Sequence, residues 1–446
     1  MRIYMKTKIL SLALLLLTLG LPSGSRACET LSLNEAVRLA VANNKDIKQA
    51  REGKNAAHAR LMEAMAGFMP SITGSAQYIF THQVPMIPIP ANSFGPNFPP
   101  SELNVRLDTT FEYAAGFNAV LPLFSGGMVW HNYAASKHLY ESASETEQAE
   151  RQNIIYQVKK AFYGLLLAKE SVDVLQHSRD LAAEHFRVTR ERYHAGEASE
   201  LDMLNAKVSL SNLDPQLIAT RNNVKIAELA LKNVIGVEFT DTLCAKSDVV
   251  LPSFSNDLHY YQAQAEQNNY QLKILSRQLS AAGDYKKVSV GRFLPTLAIT
   301  GNYDWLSNAF SGAWQDIYQA ALVLEIPLFN GGADVGRMKE ASSNYYRLVF
   351  ARSEAKDTIR ISTEAAYSNA LVSEKEIKSA QNALDTAQTA ETIAEEQYRT
   401  GMATNLDVLN ANLGLIEAEM NYIKAKYSYL LAIADLERII GSASAE

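Results

Sequence analysis

Arg190–Ala206 reads RERYHAGEASELDMLNA, and nearly the same stretch returns at Glu395–Ala411 as EEQYRTGMATNLDVLNA. In each copy a Tyr stands three residues before a Gly and an Asp six residues after it: Tyr193, Gly196 and Asp202, then Tyr398, Gly401 and Asp407. Long helical patterns flank both glycines, so each stretch reads as the tip of a helical hairpin. A sharp reversal between helices calls for a left-handed residue, which Gly supplies without a Cβ penalty.

Working outward, the rest of the chain is duplicated as well. VLPLFSGG at Val120–Gly127 returns as EIPLFNGG at Glu325–Gly332, and NVIG ending at Gly236 returns as RIIG ending at Gly441, all at one offset of about 205 residues. Earlier pairs, ANNKDI from Ala42 with QNNYQL from Gln267 and GFMPSITG from Gly67 with RFLPTLAI from Arg292, are offset by about 225. The extra residues fall between Pro70 and Pro122, where VPMIPIPANSFGPNFPP (Val84–Pro100) reads as a longer loop, because its prolines fit neither a helix nor a central strand. The expected organisation is a leader at 1–27, a first repeat at 28–241, a linker at 242–258, a second repeat at 259–441 and a short tail at 442–446.

The leader reading rests on Arg2, Lys6 and Lys8, the apolar run Ile9–Leu21 and small residues ending at Ala27, the layout of a secretory signal peptide. Its removal takes the formal net charge of −6 to about −10, a poor match for nucleic acid. No other run reaches the roughly 18 apolar residues of a spanning helix, so any membrane crossing falls to β-strands. Cys28 and Cys244 are the only cysteines. They read as one disulfide of an oxidising compartment, or Cys28 as a lipidated N-terminus, although Ser25 and Arg26 depart from the usual lipoprotein signal.

Segments beside the proline-rich loop alternate with the period of a strand, at about 71–82, 109–121, 296–306 and 317–326. Ile72, Ala76 and Tyr78 oppose Thr73, Ser75 and Gln77, and Leu297, Ile299, Tyr303 and Trp305 oppose Thr300, Asn302 and Asp304. Each run of about ten residues is long enough to cross a bilayer when tilted. Aromatic residues such as Tyr78, Tyr113, Trp305 and Trp314 gather toward the loop end, as an interfacial girdle would. Four strands cannot close a membrane barrel, since the smallest have about eight, so several chains would have to combine.

The remainder reads as helix. A proline-free run of roughly 65 residues follows Ser125, about 100 Å of helix, with a coiled-coil seam at Ile154, Val158, Ala161, Leu165, Ala168, Val172, Leu175, Ala182 and Phe186 broken at Arg179. Its counterpart carries smaller seam residues, Ala366, Ala370, Ala380 and Ala387. Half-length helices are expected at about Leu33–Gly67, opening on a capping box of Ser32 and Glu35, and at Glu200–Gly236, with Pro215 expected to bend the latter.

Taken in this order and spacing, the paired PLF–GG junctions, the paired Gly turns followed by Asp and the duplication resemble the TolC family of outer-membrane efflux proteins, over nearly all of Leu31–Gly441. The resemblance implies an α+β membrane protein of four strands and long coiled-coil helices per chain. Three chains would form a homotrimer with a 12-stranded β-barrel in outer-membrane lipid, continued by a 12-helix periplasmic α-barrel. It also implies a passive exit duct of a tripartite efflux pump or type I secretion system, docked to a periplasmic adaptor protein and an inner-membrane transporter of RND, ABC or MFS type, with no catalytic site and no cofactor. Gly196 and Gly401 would mark the adaptor-docking tips. By the family pattern Asp407 resembles the first of two acids that constrict the periplasmic mouth, with Asp202 and Tyr398 in the network that holds it shut. The chain departs from that pattern at Asn410, where the second acid would stand, and at Ala403, where an Arg would join the network. Glu112, Asp304 and Glu325 would face the lumen and, with Asp407, favour cations. A helix N-terminal charge is the plain alternative for either tip Asp. His131 and His138 read as a solvated helix face rather than a metal site. The competing class is a soluble periplasmic coiled-coil scaffold, which leaves the four alternating strands unexplained.

Overall fold

The computed structural model describes residues 29–80, 86–89, 103–106, 111–238, 243–245, 250–252, 257–308 and 312–442. In chain order the first half supplies β1 (Glu29–Leu31), α1 (Leu33–Asn43), α2 (Lys45–Ala66), β2 (Ser71–Tyr78), β3 (Met86–Ile89), β4 (Leu103–Arg106), β5 (Phe111–Ser125), α3 (Met128–His194) and α4 (Glu200–Ile235). The second supplies β6 (Leu243–Ala245), α5 (Leu258–Asn268), α6 (Tyr270–Gly291), β7 (Thr296–Asn308), β8 (Trp314–Glu325), α7 (Ala333–Arg399) and α8 (Asn405–Ile439). The long helices α3 and α7 have 67 residues each, matching the proline-free run read from the sequence. Two compact units result, and each draws on both repeats. One comprises the chain up to Lys48, Glu150–Asn269 and the chain from Ile359; the other comprises Gln49–Ala149 and Tyr270–Thr358.

The second unit carries an antiparallel sheet in the order β2-β5-β7-β8. Its register places Thr73, Asn118, Asn302 and Gln319 in one cross-strand row, and the Asn118 amide donates to Asn302 Oδ1 at 2.5 Å. The neighbouring row on the opposite face holds Gly74, Phe117, Tyr303 and Tyr318. On that face Tyr113 meets Tyr78 at 5.1 Å and Trp314 at 6.4 Å between ring centroids, and Phe117 meets Trp305 at 6.1 Å. The aromatic cluster expected from the sequence is thus a packed set, because direct cross-strand neighbours share a face.

Strand β5 runs to Ser125, past the expected end at 121. A bulge between Pro122 and Phe124 sets Phe124 beside Leu297 and Leu121 beside Ile299, so both apolar side chains stay on one face although three residues separate them. Alternation fails at that point while pairing continues. The corresponding residues after β8 form no strand, and Leu328 and Phe329 are 92% and 89% exposed. In the proline-rich region Met86–Ile89 pairs antiparallel with Leu103–Arg106; Pro88 fits because a two-stranded ladder leaves one side of each strand without a partner.

His131 and His138 do not lie on a solvated face. Both turn to Asp284 of α6, with His131 Nδ1 3.1 Å from Oδ1 and His138 Nε2 3.7 Å from Oδ2, and Asp284 is buried. Among the described residues no group of three or more His, Cys, Asp or Glu is placed to hold a metal ion.

The first unit is built on a core of Val37, Ile155, Val158, Phe162, Leu165, Leu231, Ile235 and Tyr427. Ser32 and Glu35 form the expected capping box of α1. The single helix expected over Leu33–Gly67 is two, because Asn44 interrupts it. Asn44 Oδ1 accepts from Asp46 N at 2.7 Å, starting α2, while its Nδ2 donates to Val234 O at the end of α4 at 2.9 Å. Asn269 repeats the tie in the second half, donating to Ile439 O at 2.8 Å. The repeated Asn-Asn pairs therefore satisfy carbonyls that a helix end leaves without partners. Helix α4 continues through Pro215.

The seam of α3 also differs from its sequence reading. Beyond Ser171 the buried line is Ser171, Leu175, Ser178, Ala182, His185 and Thr189, at alternating steps of four and three. Arg179 does not break it; Ser178 holds the seam while Arg179 Nε donates to Asp214 Oδ1 at 2.8 Å on the flank. Phe186 gives its place to His185. Strand β1 pairs parallel with β6, setting Thr30 against Cys244. Cys28 and the Cys244 side chain lie outside the described residues, as does the leader.

Candidate functional site: the paired hairpin tips

The two Gly turns fold alike. Gly196 and Gly401 both have φ of 80°. Gly196 N donates to Tyr193 O at 3.0 Å and Glu197 N to Arg192 O at 2.8 Å; Gly401 N donates to Tyr398 O at 3.1 Å and Met402 N to Gln397 O at 2.8 Å. This pair of bonds is the left-handed helix stop that satisfies the last carbonyls of α3 and α7. Three residues later each chain reversal starts the next helix with a capping box, Ser199 with Asp202 and Thr404 with Asp407.

Both tip acids are thereby engaged with their own helix. Asp202 Oδ2 accepts from Ser199 Oγ at 2.6 Å, and Asp407 Oδ2 accepts from Thr404 Oγ1 at 2.6 Å and Thr404 N at 2.8 Å. The Thr404 hydroxyl, then its backbone N–H, hold the Asp407 carboxyl below the usual carboxylate range, although Asp407 and Asn410 are exposed. Tyr398 is buried, 5% exposed, and its hydroxyl donates to Thr189 Oγ1 at 3.2 Å rather than to Asp202.

What joins the two hairpins is a set of residues that sequence reading passed over. His185 lies between Glu395 and Asn405, with Nδ1 3.3 Å from Glu395 Oε2 and Nε2 2.8 Å from Asn405 Oδ1. The Asn405 amide donates onward to Asp202 O at 3.2 Å. Arg192 donates to Tyr398 O and lies over the Tyr398 ring at 4.8 Å. The His185 bond, followed by its charge and that of Arg399, holds the half-buried Glu395 carboxyl below its ordinary value against the opposing effect of burial. One further signal was present in the sequence: the heptad through Leu175 and Ala182 leads to Thr189, and that through Ser171 and Ser178 leads to His185, when polar residues are allowed in the seam.

On the sheet, Asp304 stands opposite Gly116 and Ile317, two rows from Asn118 and Asn302 and on the same face. A Cβ on Gly116 would meet Asp304 Oδ1 at 2.0 Å, so the carboxylate lies over the glycine. Glu325 is exposed opposite Thr296, on the same face as Asp304 by strand parity. The Glu112 side chain lies outside the described residues.

The model of the family described as outer membrane efflux protein matches residues 36–237 and 262–442. The chain belongs to the outer membrane efflux protein family. Its setting is the outer membrane, and the family is one of channel proteins rather than enzymes. Outer membrane efflux protein BepC of Brucella suis biovar 1 is 22% identical over 382 residues, covering 85% of this chain and 78% of that protein. Outer membrane protein TolC of Vibrio cholerae is 21% identical, covering 75% and 77%. The fold of the Campylobacter jejuni CmeC outer membrane channel superposes with a TM-score of 0.76 at 20% identity, over 94% of this chain and 91% of that one. Membership of this outer-membrane family sets aside the soluble-scaffold alternative, and the open sheet is the element such a scaffold would lack.

Proposed function

We propose that this outer membrane efflux protein works as the passive outer-membrane exit duct of a tripartite efflux pump or type I secretion system, as a homotrimer docked to a periplasmic adaptor and an inner-membrane transporter. The observation that carries the reading is the four-stranded sheet with two open edges. Strands β2 and β8 are exposed along their whole length, and long bare edges are templates for pairing. They run antiparallel to one another, so β8 of one copy meets β2 of the next as an ordinary antiparallel pair, and a head-to-tail interface of this kind closes into a ring. The exposed Leu328 and Phe329 correspond to Leu123 and Phe124 of β5, where β5 continues to pair with β7, and among the described residues the outer edge of β8 has no strand beside it. Ile218, Ile226 and Leu229 of α4 and Ile361 and Val372 of α7 are further exposed apolar positions suited to contact between copies.

In the ring, six hairpin tips form the periplasmic mouth. Gly196 and Gly401, with exposed Leu201, Met402 and Leu406 beside them, meet the adaptor. Asp407 supplies the constricting charge with Asn410 one turn on, and Asp202 and Tyr398 support it, Asp202 through its carbonyl and Tyr398 through Thr189 and Arg192. Asp304 and Glu325, with Glu112, line the lumen and favour cations.

Cysteine pairs test the closure. Within one chain β2 and β8 are the outermost strands, so cysteines replacing residues of Ser71–Tyr78 and of Trp314–Glu325 link only between copies. The expected product is a ladder ending at trimer on a denaturing gel, absent from single-cysteine controls. Uniformly monomeric protein across all registers contradicts the reading.

A further inference from the structure

Helices α2, α3 and α6 enclose a cleft of about 540 Å³ within the unit that carries the four-stranded sheet. Its walls follow from sequence spacing. Gly53, Ala57 and Arg60 of α2, and Asn132, Ser136 and Leu139 of α3, recur at steps of four and three, so each set shares one helical face. From α6 come Gln278 and Tyr285, which by the offset of about 225 residues are the counterparts of Gly53 and Arg60. The duplicated helix thus presents the same face twice, and α3 forms the floor between the two copies.

The floor carries hydroxyls without partners. Ser136 and Ser142 are 9% and 5% exposed, both line the cleft, and among the described residues neither side chain is hydrogen-bonded. Other buried serines of α3 bond to their own helix: Ser171 donates to Leu167 O and Ser178 to Val174 O, each at 2.7 Å. At the rim, Arg60, Glu63, Asn132 and Gln278 also have no side-chain partner among the described residues, and Tyr285 is exposed. A Cβ on Gly53 would meet nothing within 4 Å, so that wall faces open space.

We propose that this cleft is a binding site for a short neutral saccharide. A hydroxyl donates and accepts, so Ser136 and Ser142 can pair with sugar hydroxyls in either sense. The guanidinium, carboxylate and amide groups of the rim are planar, and each can hold two neighbouring hydroxyls. Arg60 and Glu63 carry opposite charges, so the rim favours neither an anion nor a cation. The Tyr285 ring offers an apolar face to the C–H side of a sugar, and Ala57, Leu139 and Ala143 supply the apolar lining beneath. The volume falls within the range of small-molecule sites. In the second repeat Ala341 and Arg347 stand where Ser136 and Ser142 do, at the offset of about 205, so the duplicated helix packing does not itself require the hydroxyls. Every lining residue belongs to one chain and one unit, and the site stands independently of the duct reading.

The test is maltotriose binding to the full-length protein, extracted in a detergent without a sugar head group and followed by saturation-transfer NMR and titration calorimetry. Wild type is expected to pass saturation to the sugar protons and to give a saturable isotherm. Ser136→Ala and Ser142→Ala are each expected to weaken binding about fivefold, the loss of one hydrogen bond. Gly53→Leu improves helix propensity and fills the cleft, and it is expected to abolish binding. The two serine variants leave the backbone and the cleft volume nearly unchanged, so they decide the matter even if Gly53→Leu disturbs the fold. Absence of binding in wild type overturns the proposal, as does an affinity that both serine variants leave intact. Tighter binding of citrate or trilysine than of maltotriose overturns the assignment to a neutral sugar.

Discussion

At the residue scale Asp202 and Asp407 each cap their own helix, and in the proposed duct Asp407 would also constrict the mouth while Asp202 would belong to the network that holds it shut. The capping role is a local matter of Ser or Thr followed three residues later by an acid, so it could be read from Ser199 and Thr404 directly. The cross-hairpin bonds could not. His185 and Asn405 are 220 residues apart, and the duplication offers no help because Ala390 and Glu200 occupy the corresponding positions. Half-buried Glu419 provides a residue-scale test. Burial raises the Glu419 carboxyl, with His177 opposing. A raised acid costs the fold nothing below its unfolded value and the full penalty above its folded value. Glu419→Gln is therefore expected to raise the thermal midpoint at pH 7.5 and leave it unchanged at pH 4; a gain at both, measured by calorimetry, contradicts the assignment.

At the scale of elements, the hairpin tips were legible because their determinants are contiguous: Gly in the left-handed region, then a capping box. A β-branched residue in that conformation costs roughly 1–2 kcal/mol. Gly401→Val is expected to lower protection of the surrounding amides accordingly, whereas Gly401→Asn, which tolerates the conformation, does so by less. Equal effects would show that the left-handed turn is not what Gly401 provides. The strand ends and the α1–α2 break were less legible. A bulge at Leu123 defeats alternation while preserving the pairing, and Asn44 stops one helix by starting another with its side chain. Likewise the lower seam of α3 was obscured because Ser171, Ser178, His185 and Thr189 alternate in it with Leu175 and Ala182, and a search for apolar spacing discards them.

For the whole molecule, the duplication was the most legible feature, because one offset shared by three pairs of motifs and a second shared by two are independent of any local propensity. It was less apparent that the compact units cut across the repeats, each half giving two strands of the four-stranded sheet to one unit and a hairpin tip to the other. This follows from the contacts made by β5 with β7 and by α3 with α8, which no single repeat encodes. The account's central claim is that three chains make one duct whose mouth is formed by the two tips. The most direct measurement is single-channel conductance of the detergent-extracted trimer in a planar bilayer, with Asp407→Ala compared to Thr404→Ala, which loses about 1 kcal/mol of capping but keeps the charge. The account predicts a small cation-selective current in wild type that grows and loses selectivity with Asp407→Ala and keeps its selectivity with Thr404→Ala. Folded trimers that carry an anion-selective current, or none in any of the three proteins, would contradict it.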